Sequence, residues 1–461
     1  MMTSLWESVA NASVGGRGAF HGAGGSIATP ELAAASCLGE ALEALRGRSV
    51  LLTLREQLST AVALLELDGV ARRLVLCTPD LTQEQLAQVA AIAETDAVLS
   101  DIPPESPRSS PPVYLMQPRP APAPIERRTT AESEWILLTS GTTGSPKLVV
   151  HTLASLAGTL PRQPPGAGSV WSTFYDIRRY GGLQIYLRAV LSGSPLVLSS
   201  PTESTAEFLA RAAARGVTHI SGTPSHWRRA LMSGAAQLLN PVYVRLSGEV
   251  ADQVVLDQLH ATYPNARIGH AFASTEAGVA FDVNDGRAGF PADFLAGTHQ
   301  GIAMKVEDGT LRIRSERTAA RYLGAGPNDL SGGDGYVDTG DLVELQDGRY
   351  YFRGRKGGVI NVGGQKVYPE EVECVLNADP RVRMSLVRAR HNAIMGALVV
   401  ADVVLKDSEN SMPAAAAAEE IKNDLLKACR SALPAHKVPA MLRFVAALEL
   451  NAAGKLVRPG A

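Results

Sequence analysis

The sequence has few of the features that mark secreted, membrane-bound or nucleic-acid-binding proteins. Its 461 residues include only 4 cysteines, which are scattered, form no CxxC pair and have no histidine at metal-ligand spacing. A formal net charge of −2 leaves no basic surface for nucleic acid. No apolar run reaches the length of a membrane span, and the N-terminus lacks the apolar core of a signal peptide. We therefore expect a cytoplasmic protein with neither nucleic-acid nor membrane partners.

Length and composition indicate a globular chain with more than one domain. A chain of 461 residues is too long for one hydrophobic core, and its 45% hydrophobic and 20% charged residues are typical of soluble globular proteins. From residue 48, strand-like and helix-like segments alternate, which predicts a parallel sheet covered by helices. We expect the Gly- and Ala-rich residues 1–30 to lie loosely on the surface. The proline-dense residues 101–125 predict a linker or surface crossing.

The stretch around which the chain is organised is a hydroxyl- and glycine-rich turn that follows an apolar strand at residues 135–138. Glycines let backbone amides converge on an anion, hydroxyls donate further hydrogen bonds, and a lysine adds a compact positive charge. The order differs from the P-loop pattern because the lysine comes three residues after the second glycine. The stretch predicts a polyphosphate-binding loop. Its residues are Thr139, Ser140, Gly141, Thr142, Thr143, Gly144, Ser145, Pro146 and Lys147.

This loop resembles the phosphate loop of the adenylate-forming superfamily, which contains acyl- and aryl-CoA ligases, the adenylation domains of peptide synthetases, and luciferases. Further motifs in the family's order extend the resemblance over roughly residues 45–461. The family's Y-G-x-T-E pattern is matched where Phe272 and Ala273 replace the tyrosine and the glycine. Its T-G-D motif is matched up to Asp341, and its N-x-x-G-K ending is matched up to Lys455.

The resemblance implies how ATP would be held. The loop glycines and hydroxyls, with Lys147, would bind the β- and γ-phosphates. Glu276 would hold Mg²⁺, because a hard cation prefers carboxylate oxygen, and Thr275 would bond a phosphate oxygen. Phe272 would stack on adenine.

The resemblance also assigns the remaining catalytic and nucleotide-binding residues. Asp341 would accept the ribose hydroxyls, and Arg355 would contact the nucleotide. Lys455 would bridge the substrate carboxylate and the α-phosphate, where charge builds in the transition state.

The acid pocket is predicted from residues that flank these motifs. Where the family carries an aromatic or a histidine, this chain has Arg179, or Tyr180 after a one-residue slip. An arginine there could bind a carboxylate or phosphate, or it could be an ordinary ion-paired arginine, and both interpretations stay open. The predicted lining is Arg179, Tyr180, Ser247, His270 and Ala271, with the turn at residues 221–223.

The resemblance implies an α/β fold. We expect a large N-terminal domain of parallel-rich sheets packed with helices, at residues 1–354. A small mobile α+β C-terminal domain, at residues 355–461, would carry Lys455. Gly357 occupies the family's hinge position, where glycine tolerates large backbone rotations.

The implied function is that of an ATP-dependent ligase for a small carboxylic acid, either aryl or short aliphatic. The acid becomes acyl-AMP, and a thiol then expels AMP. The thiol would be CoA or, as the alternative, the phosphopantetheine of a carrier protein. An inactive nucleotide-binding module is disfavoured by the retained Lys455, Glu276 and Asp341. Amino acids are disfavoured because no acidic residue stands at position 179 or 180.

Overall fold

The computed structural model describes residues 4–12, 17–103, 110–122, 129–139, 146–158, 160, 168–324, 330–392, 396–406, 415–449 and 455–456. The α-helices are α1 (Leu5–Ala12), α2 (Ala41–Ala44), α3 (Gln57–Leu67), α4 (Gln83–Ile92), α5 (Leu153–Ala157), α6 (Tyr180–Leu191), α7 (Thr205–Ala214), α8 (Pro224–Met232), α9 (Gln253–Thr262), α10 (Pro369–Asn377) and α11 (Ala415–Ala432). The strands are β1 (Ala19–His21), β2 (Ser26–Ala28), β3 (Ala35–Ser36), β4 (Ser49–Leu52), β5 (Arg73–Leu76), β6 (Ala97–Ser100), β7 (Val113–Leu115), β8 (Ala121–Pro122), β9 (Glu134–Thr139), β10 (Lys147–Thr152), β11 (Trp171–Thr173), β12 (Leu196–Leu198), β13 (His219–Gly222), β14 (Tyr243–Ser247), β15 (Arg267–Ser274), β16 (Gly278–Val283), β17 (Phe290–Pro291), β18 (Thr298–His299), β19 (Ile302–Glu307), β20 (Thr310–Arg314), β21 (Arg321–Leu323), β22 (Val337–Gln346), β23 (Arg349–Arg355), β24 (Ile360–Val362), β25 (Gln365–Val367), β26 (Val382–Asn392), β27 (Gly396–Leu405) and β28 (Met441–Phe444).

Two parallel-rich sheets form most of the N-terminal part. One has the order β16-β15-β14-β13-β11-β12-β1-β2, with parallel pairs from β15 through to β1. The other has the order β21-β10-β9-β5-β4-β6-β7, with parallel pairs from β9 through to β7. Every residue of β4 and β5 is buried, as expected for strands covered on both faces. The expected α/β fold is confirmed.

A third sheet and the C-terminal part complete the chain. The third sheet, β17-β23-β22-β20-β19-β18, is antiparallel throughout. Beyond it, the β24–β25 hairpin and the sheet β26-β27-β28 share a separate apolar core with α10 and α11. This is the expected small α+β part. None of the described helices is both long and apolar enough to cross a membrane.

Two expectations for the first 125 residues were wrong. In the N-terminal segment, α1 buries Leu5 and Val9, and β1 pairs with β12 in the first sheet. Between residues 101 and 125, β7 extends the second sheet by pairing with β6. The strands β1 and β7 were missed because strands of three residues carry no periodic signal of their own and form only against a neighbour that is distant in sequence.

Candidate active site

The lysine near the C-terminus lies against the turn that follows β14. A Cβ atom added to Gly248 would stand 3.3 Å from Cε of Lys455. The next residue, Leu456, donates its backbone N–H to Oε1 of Glu249 at 3.3 Å. The second carboxylate oxygen of Glu249 accepts the Ser225 N–H at 2.9 Å, so Glu249 ties α8 to the lysine segment. The structure therefore brings Lys455 to the turn that the sequence placed beside the acid pocket.

Charged groups surround the lysine side chain. Burial is the main cause that lowers the pKa of Lys455 from its usual 10.5, while Glu249 and Asp341 raise this pKa and Arg355 and Arg179 lower it further. The residue nevertheless keeps accessible surface. The ammonium group thus lies in a partly dehydrated position from which it can reach a bound anion.

Asp341 and Arg355 face each other across β22 and β23. Nε of Arg355 lies 3.2 Å from Oδ1 of Asp341, and its Nη2 donates to the Thr339 carbonyl at 2.9 Å. Burial raises the pKa of Asp341, while Arg355 and Lys455 act in the opposite direction. Because most of the Arg355 side chain is exposed, it can turn toward a nucleotide while Asp341 stays fixed by its strand.

Glu276 lies in the turn between β15 and β16, next to a tyrosine that sequence reasoning missed. The Tyr322 hydroxyl donates to Oε1 of Glu276 at 3.3 Å, and Nζ of Lys147 lies 5.3 Å from the centroid of the Tyr322 ring. Tyr322 therefore connects the end of the phosphate loop with the predicted metal ligand. No group of three or more acidic, histidine or cysteine side chains suited to a metal occurs among the described residues. A lone carboxylate fits Mg²⁺, which is commonly held by one or two carboxylates together with substrate phosphates.

A buried histidine holds the turn that carries Thr275. Nε2 of His151 bonds the Thr275 carbonyl at 2.7 Å, and its Nδ1 lies 2.9 Å from the Ser155 hydroxyl. Burial lowers the pKa of His151 to about 4, so the ring is neutral at pH 7 and Nε2–H donates to the carbonyl. The Thr275 backbone is thereby fixed to β10, directly after the phosphate loop.

The predicted phosphate loop is described only at its two ends. Thr139 and Lys147 are paired in register across the antiparallel strands β9 and β10. The other predicted phosphate-binding residues lie outside the described part of the chain. They are Ser140, Gly141, Thr142, Thr143 and Gly144.

A pocket lies between α6 and the ends of β13 to β16. Ser247 is part of its lining and directly precedes Gly248, and the Tyr175 hydroxyl donates to the Ser247 carbonyl at 2.6 Å. Of the residues predicted to contact the acid, Tyr180, Ser247 and Ser221 line the pocket. Its full lining is Tyr175, Tyr180, Gly181, Gln184, Ile185, Ser221, Arg245, Ser247, Ala273 and Val279.

Other predicted contacts are not among the residues that line this pocket. The Arg179 guanidinium forms an ion pair with Asp80 at 2.9 Å, which favours the second of the two interpretations left open for it. Nε2 of His270 is engaged with the Arg287 carbonyl at 3.0 Å. Ala271 is buried in β15, opposite Ser247 in the register.

The ring of Phe272, which the resemblance placed on adenine, stacks on another aromatic side chain. Its centroid lies 5.0 Å from that of Phe352, with 9° between the ring planes. Phe272 is therefore held in the aromatic core of the third sheet, so a nucleotide could contact only what that packing leaves open.

The arginine in the pocket is Arg245, which sequence reasoning passed over as part of an apolar strand. It is 5% exposed, and its Nε donates to Oδ1 of Asp282 at 2.9 Å. Only the arginine itself, in a run of otherwise apolar strand residues, could have drawn attention to the position.

Lys455, Asp341 and Glu276 are borne by different parts of the fold, and the charges of Lys455 and Glu276 both act on Asp341. This proximity agrees with the positions that the resemblance to the adenylate-forming class implies for the three residues. The chain belongs to the AMP-binding enzyme family. Residues 32–310 match the AMP-binding enzyme family itself, and residues 371–455 match the AMP-binding enzyme C-terminal domain.

Several curated relatives are named as acid–CoA ligases, and another is named as an isonitrile lipopeptide synthase. The chain is 30% identical over 257 residues to a 2-succinylbenzoate–CoA ligase of Salmonella typhimurium, a match that covers 54% of this chain and 53% of the relative. It is 28% identical over 351 residues to the enzyme of that name from Geobacillus kaustophilus, covering 70% of this chain and 67% of the relative. The first match thus spans about half of the relative's length.

Solved structures share the whole fold. An anthranilate CoA ligase in complex with anthranoyl-AMP has a TM-score of 0.81 at 17% identity, covering 98% of this chain and 95% of that one. The o-succinylbenzoate CoA synthetase of Bacillus subtilis, in complex with its acyl-adenylate intermediate, has a TM-score of 0.77 at 20% identity, covering 99% and 97%. These structures confirm the predicted fold, and the family matches confirm the predicted superfamily.

Proposed function

We propose that the protein is an AMP-forming ligase that activates a small carboxylic acid as acyl-AMP and transfers the acyl group to the thiol of CoA. The observation that carries this proposal is the position of Lys455, which contacts the turn at Gly248 and lies close to Asp341 and Arg355. A lysine that lies next to the residue after Ser247, and close to Asp341 and Arg355, can neutralise a carboxylate and an α-phosphate at once.

In the first half-reaction, a carboxylate oxygen attacks the α-phosphorus of ATP and pyrophosphate leaves. The protein contributes position and charge, since phosphoryl transfer of this kind needs no covalent participation by side chains. The residues at the phosphate-loop turn, including Lys147, would hold the leaving pyrophosphate. Asp341 and Arg355 would hold the nucleoside, and Lys455 would stabilise charge at the α-phosphate.

Glu276 would hold Mg²⁺ together with the phosphates, and the ion would neutralise their charge. Within the protein, Tyr322 and the turn fixed by His151 orient the Glu276 carboxylate before substrate arrives. A Bacillus subtilis relative of the same fold has been solved with ATP and a magnesium ion, which supports this assignment.

In the second half-reaction, the thiol sulfur attacks the acyl carbon and AMP leaves with the C–O bond electrons. This step requires Lys455 to withdraw so that a thiol can approach. We propose that the part of the chain from residue 355 onward rotates about Gly357, which is exposed in a short turn between β23 and β24. The proposal places the boundary between the large N-terminal domain and the mobile C-terminal domain between residues 354 and 355.

A free-standing adenylation enzyme that loads a carrier protein is the alternative. It shares the first half-reaction and differs only in the thiol. The curated relatives named as CoA ligases favour CoA. An amino-acid substrate is disfavoured, because the Asp176 carboxylate is engaged by the Arg178 guanidinium at 2.6 Å.

The experiment that tests the proposal measures both half-reactions separately. Pyrophosphate release with ATP and a panel of benzoates, short hydroxy acids and fatty acids should reveal activity on small acids. Thioester formation should then follow with CoA, and a phosphopantetheinylated carrier protein serves as the competing acceptor. Acid-dependent pyrophosphate release without any thioester to either thiol would contradict the ligase assignment.

Lys455→Ala should lower the rate of adenylation by about 10²–10³-fold, the scale for removing one preorganised transition-state contact. Thioester formation from supplied acyl-AMP should fall much less, because that step uses the other domain orientation. Equal losses in the two steps would show that Lys455 supports folding or both conformations instead.

A further inference from the structure

Two buried polar atoms in the acid pocket lack hydrogen-bond partners. The Ser221 hydroxyl lines the pocket, is 2% exposed and has no partner among the described residues. Nη2 of Arg245 forms an ion pair with Oδ1 of Asp282 at 2.7 Å, but it makes no hydrogen bond among the described residues. Buried polar atoms without hydrogen bonds are costly to a fold, and the presence of both atoms in one pocket lining indicates a ligand that would satisfy them.

The same end of the pocket carries an excess of positive charge. Arg188 lies one turn beyond Gln184 and Ile185 on α6, on the face that lines the pocket. Arg317 donates to the carbonyl of Val279, another lining residue, at 2.9 Å.

One carboxylate, Asp282, interacts with all three guanidinium groups at this end of the pocket. Its negative charge raises the pKa of Arg188, of Arg245 and of Arg317. Burial lowers the pKa of Arg188 to about 10, and the neighbouring Arg245 adds to the effect. A second anion placed here would balance a charge that the protein itself leaves in excess.

On the basis of the acid-activating function proposed above, we propose that the inner end of this pocket is a subsite for a second carboxylate on the substrate. Arg245 and Ser221 bind it, and Arg188 supplies further positive charge. The enzyme is then selective for dicarboxylic acids, of which one carboxylate is activated and the other is retained.

The geometry of β14 sets the size of the diacid. Ser247 lines the pocket and precedes Gly248, which faces Lys455, and Arg245 lies two residues before Ser247 on the same face of the strand. Two residues of a strand span about 7 Å. A short aliphatic or single-ring diacid fits that spacing, whereas a long-chain fatty acid would leave an apolar tail against the guanidinium groups.

The test compares acids that differ only in the second group. Pyrophosphate release is measured with glutarate against pentanoate, and with isophthalate against 3-methylbenzoate and 3-hydroxybenzoate. Wild-type enzyme should favour the diacid in each pair by about 10-fold or more in kcat/KM, as expected for a charge-assisted contact.

Ser221→Ala is the sharpest variant because the hydroxyl that it removes has no partner in the fold. The diacid-to-monoacid ratio of kcat/KM should fall roughly 10-fold, while the thermal midpoint stays the same or rises. Ser172→Ala is the matched control, since Ser172 is equally buried on the adjacent strand but donates to the Val197 carbonyl at 2.9 Å. This variant should lower the midpoint and leave the ratio unchanged.

Arg245→Lys keeps a positive charge beside Asp282 and removes the planar fork, so it should also lower the ratio. Preference for the monoacid of each pair, or for 3-hydroxybenzoate over isophthalate, would overturn the second-carboxylate subsite alone. An unchanged ratio in both Ser221→Ala and Arg245→Lys would overturn it too. Absence of activity on every acid would overturn the ligase function together with the subsite.

Discussion

Replacing Gly248 by alanine tests whether the turn after β14 is shaped to receive the lysine. Gly248 has a φ of +87°, a left-handed conformation that costs a residue with a Cβ roughly 1–2 kcal/mol. The new methyl group would also stand 3.3 Å from Cε and 3.7 Å from Nζ of Lys455. The lysine must then shift by a few tenths of an ångström. Since about 1 Å of misplacement can cost about 10²-fold in rate, we expect adenylation to fall several-fold to 10-fold.

A second glycine separates backbone strain from contact with the lysine. Gly297 has a φ of +86°, and a Cβ there would meet no atom within 4 Å. Gly297→Ala should therefore lower the free energy of unfolding by a similar amount and leave adenylation unchanged. Chemical denaturation measures the first effect, and single-turnover pyrophosphate release measures the second.

The comparison of the two variants has a clear refutation. If Gly248→Ala and Gly297→Ala lose the same stability and the same small amount of activity, the space above Gly248 does not matter for the lysine. If Gly248→Ala slows thioester formation from supplied acyl-AMP as much as adenylation, the turn acts on the pocket rather than on Lys455.

Four further outcomes are expected. Gly357→Pro fixes φ near roughly −65° and should leave one half-reaction faster than the other, and wild-type rates in both would move the hinge elsewhere. The alkaline limb of adenylation should lie below pH 10.5, because the protonated Lys455 is lost as pH rises through its lowered pKa, and Glu249→Gln should move the limb lower still, which a pH–rate profile would show. Burial raises the pKa of Asp68 from 3.8 to about 6. The free energy of unfolding should therefore fall by about 3 kcal/mol as pH rises through this interval, because the folded state holds the proton more tightly than the unfolded state. In Asp68→Asn, denaturation at several pH values should show no such fall. Arg179→Ala should lower the free energy of unfolding by less than about 1 kcal/mol, because the ion pair of Arg179 with Asp80 is partly exposed. In a steady-state comparison, this variant should keep the wild-type preference between substituted and unsubstituted acids.

Residues in short ordered motifs could be located from the sequence, because each motif combines a turn with the side chain that the turn presents. Lys455 and Asp341 are of this kind, and the structure places them close together. Their roles remain predictions, but their proximity is what the resemblance to the adenylate-forming superfamily implies.

The pocket arginine could not be found in this way. Arg245 lies in a strand of otherwise apolar residues, and its partner Asp282 lies on β16, with β15 between the two strands. Nothing near either residue in the sequence indicates the pair, because a lateral contact across a sheet depends on strand order. Arg179 was considered first because it stands at a family motif position, yet its side chain turns to Asp80.

Burial and neighbouring charges act in opposite directions on the charge states of Lys455 and Asp341 before any substrate is present. Burial lowers the pKa of Lys455 and raises that of Asp341, so the fold disfavours the charged form of both. Each side chain nevertheless lies among opposite charges that partly restore its charged form, Glu249 for the lysine and Arg355 for the aspartate. A polyanionic nucleotide bound beside these groups would shift the balance further toward protonated Lys455, because its phosphates add negative charge where hydration is already reduced. The folded protein thus bears the desolvation cost of the lysine in advance, and the gain is realised only when the anion on which it acts is bound.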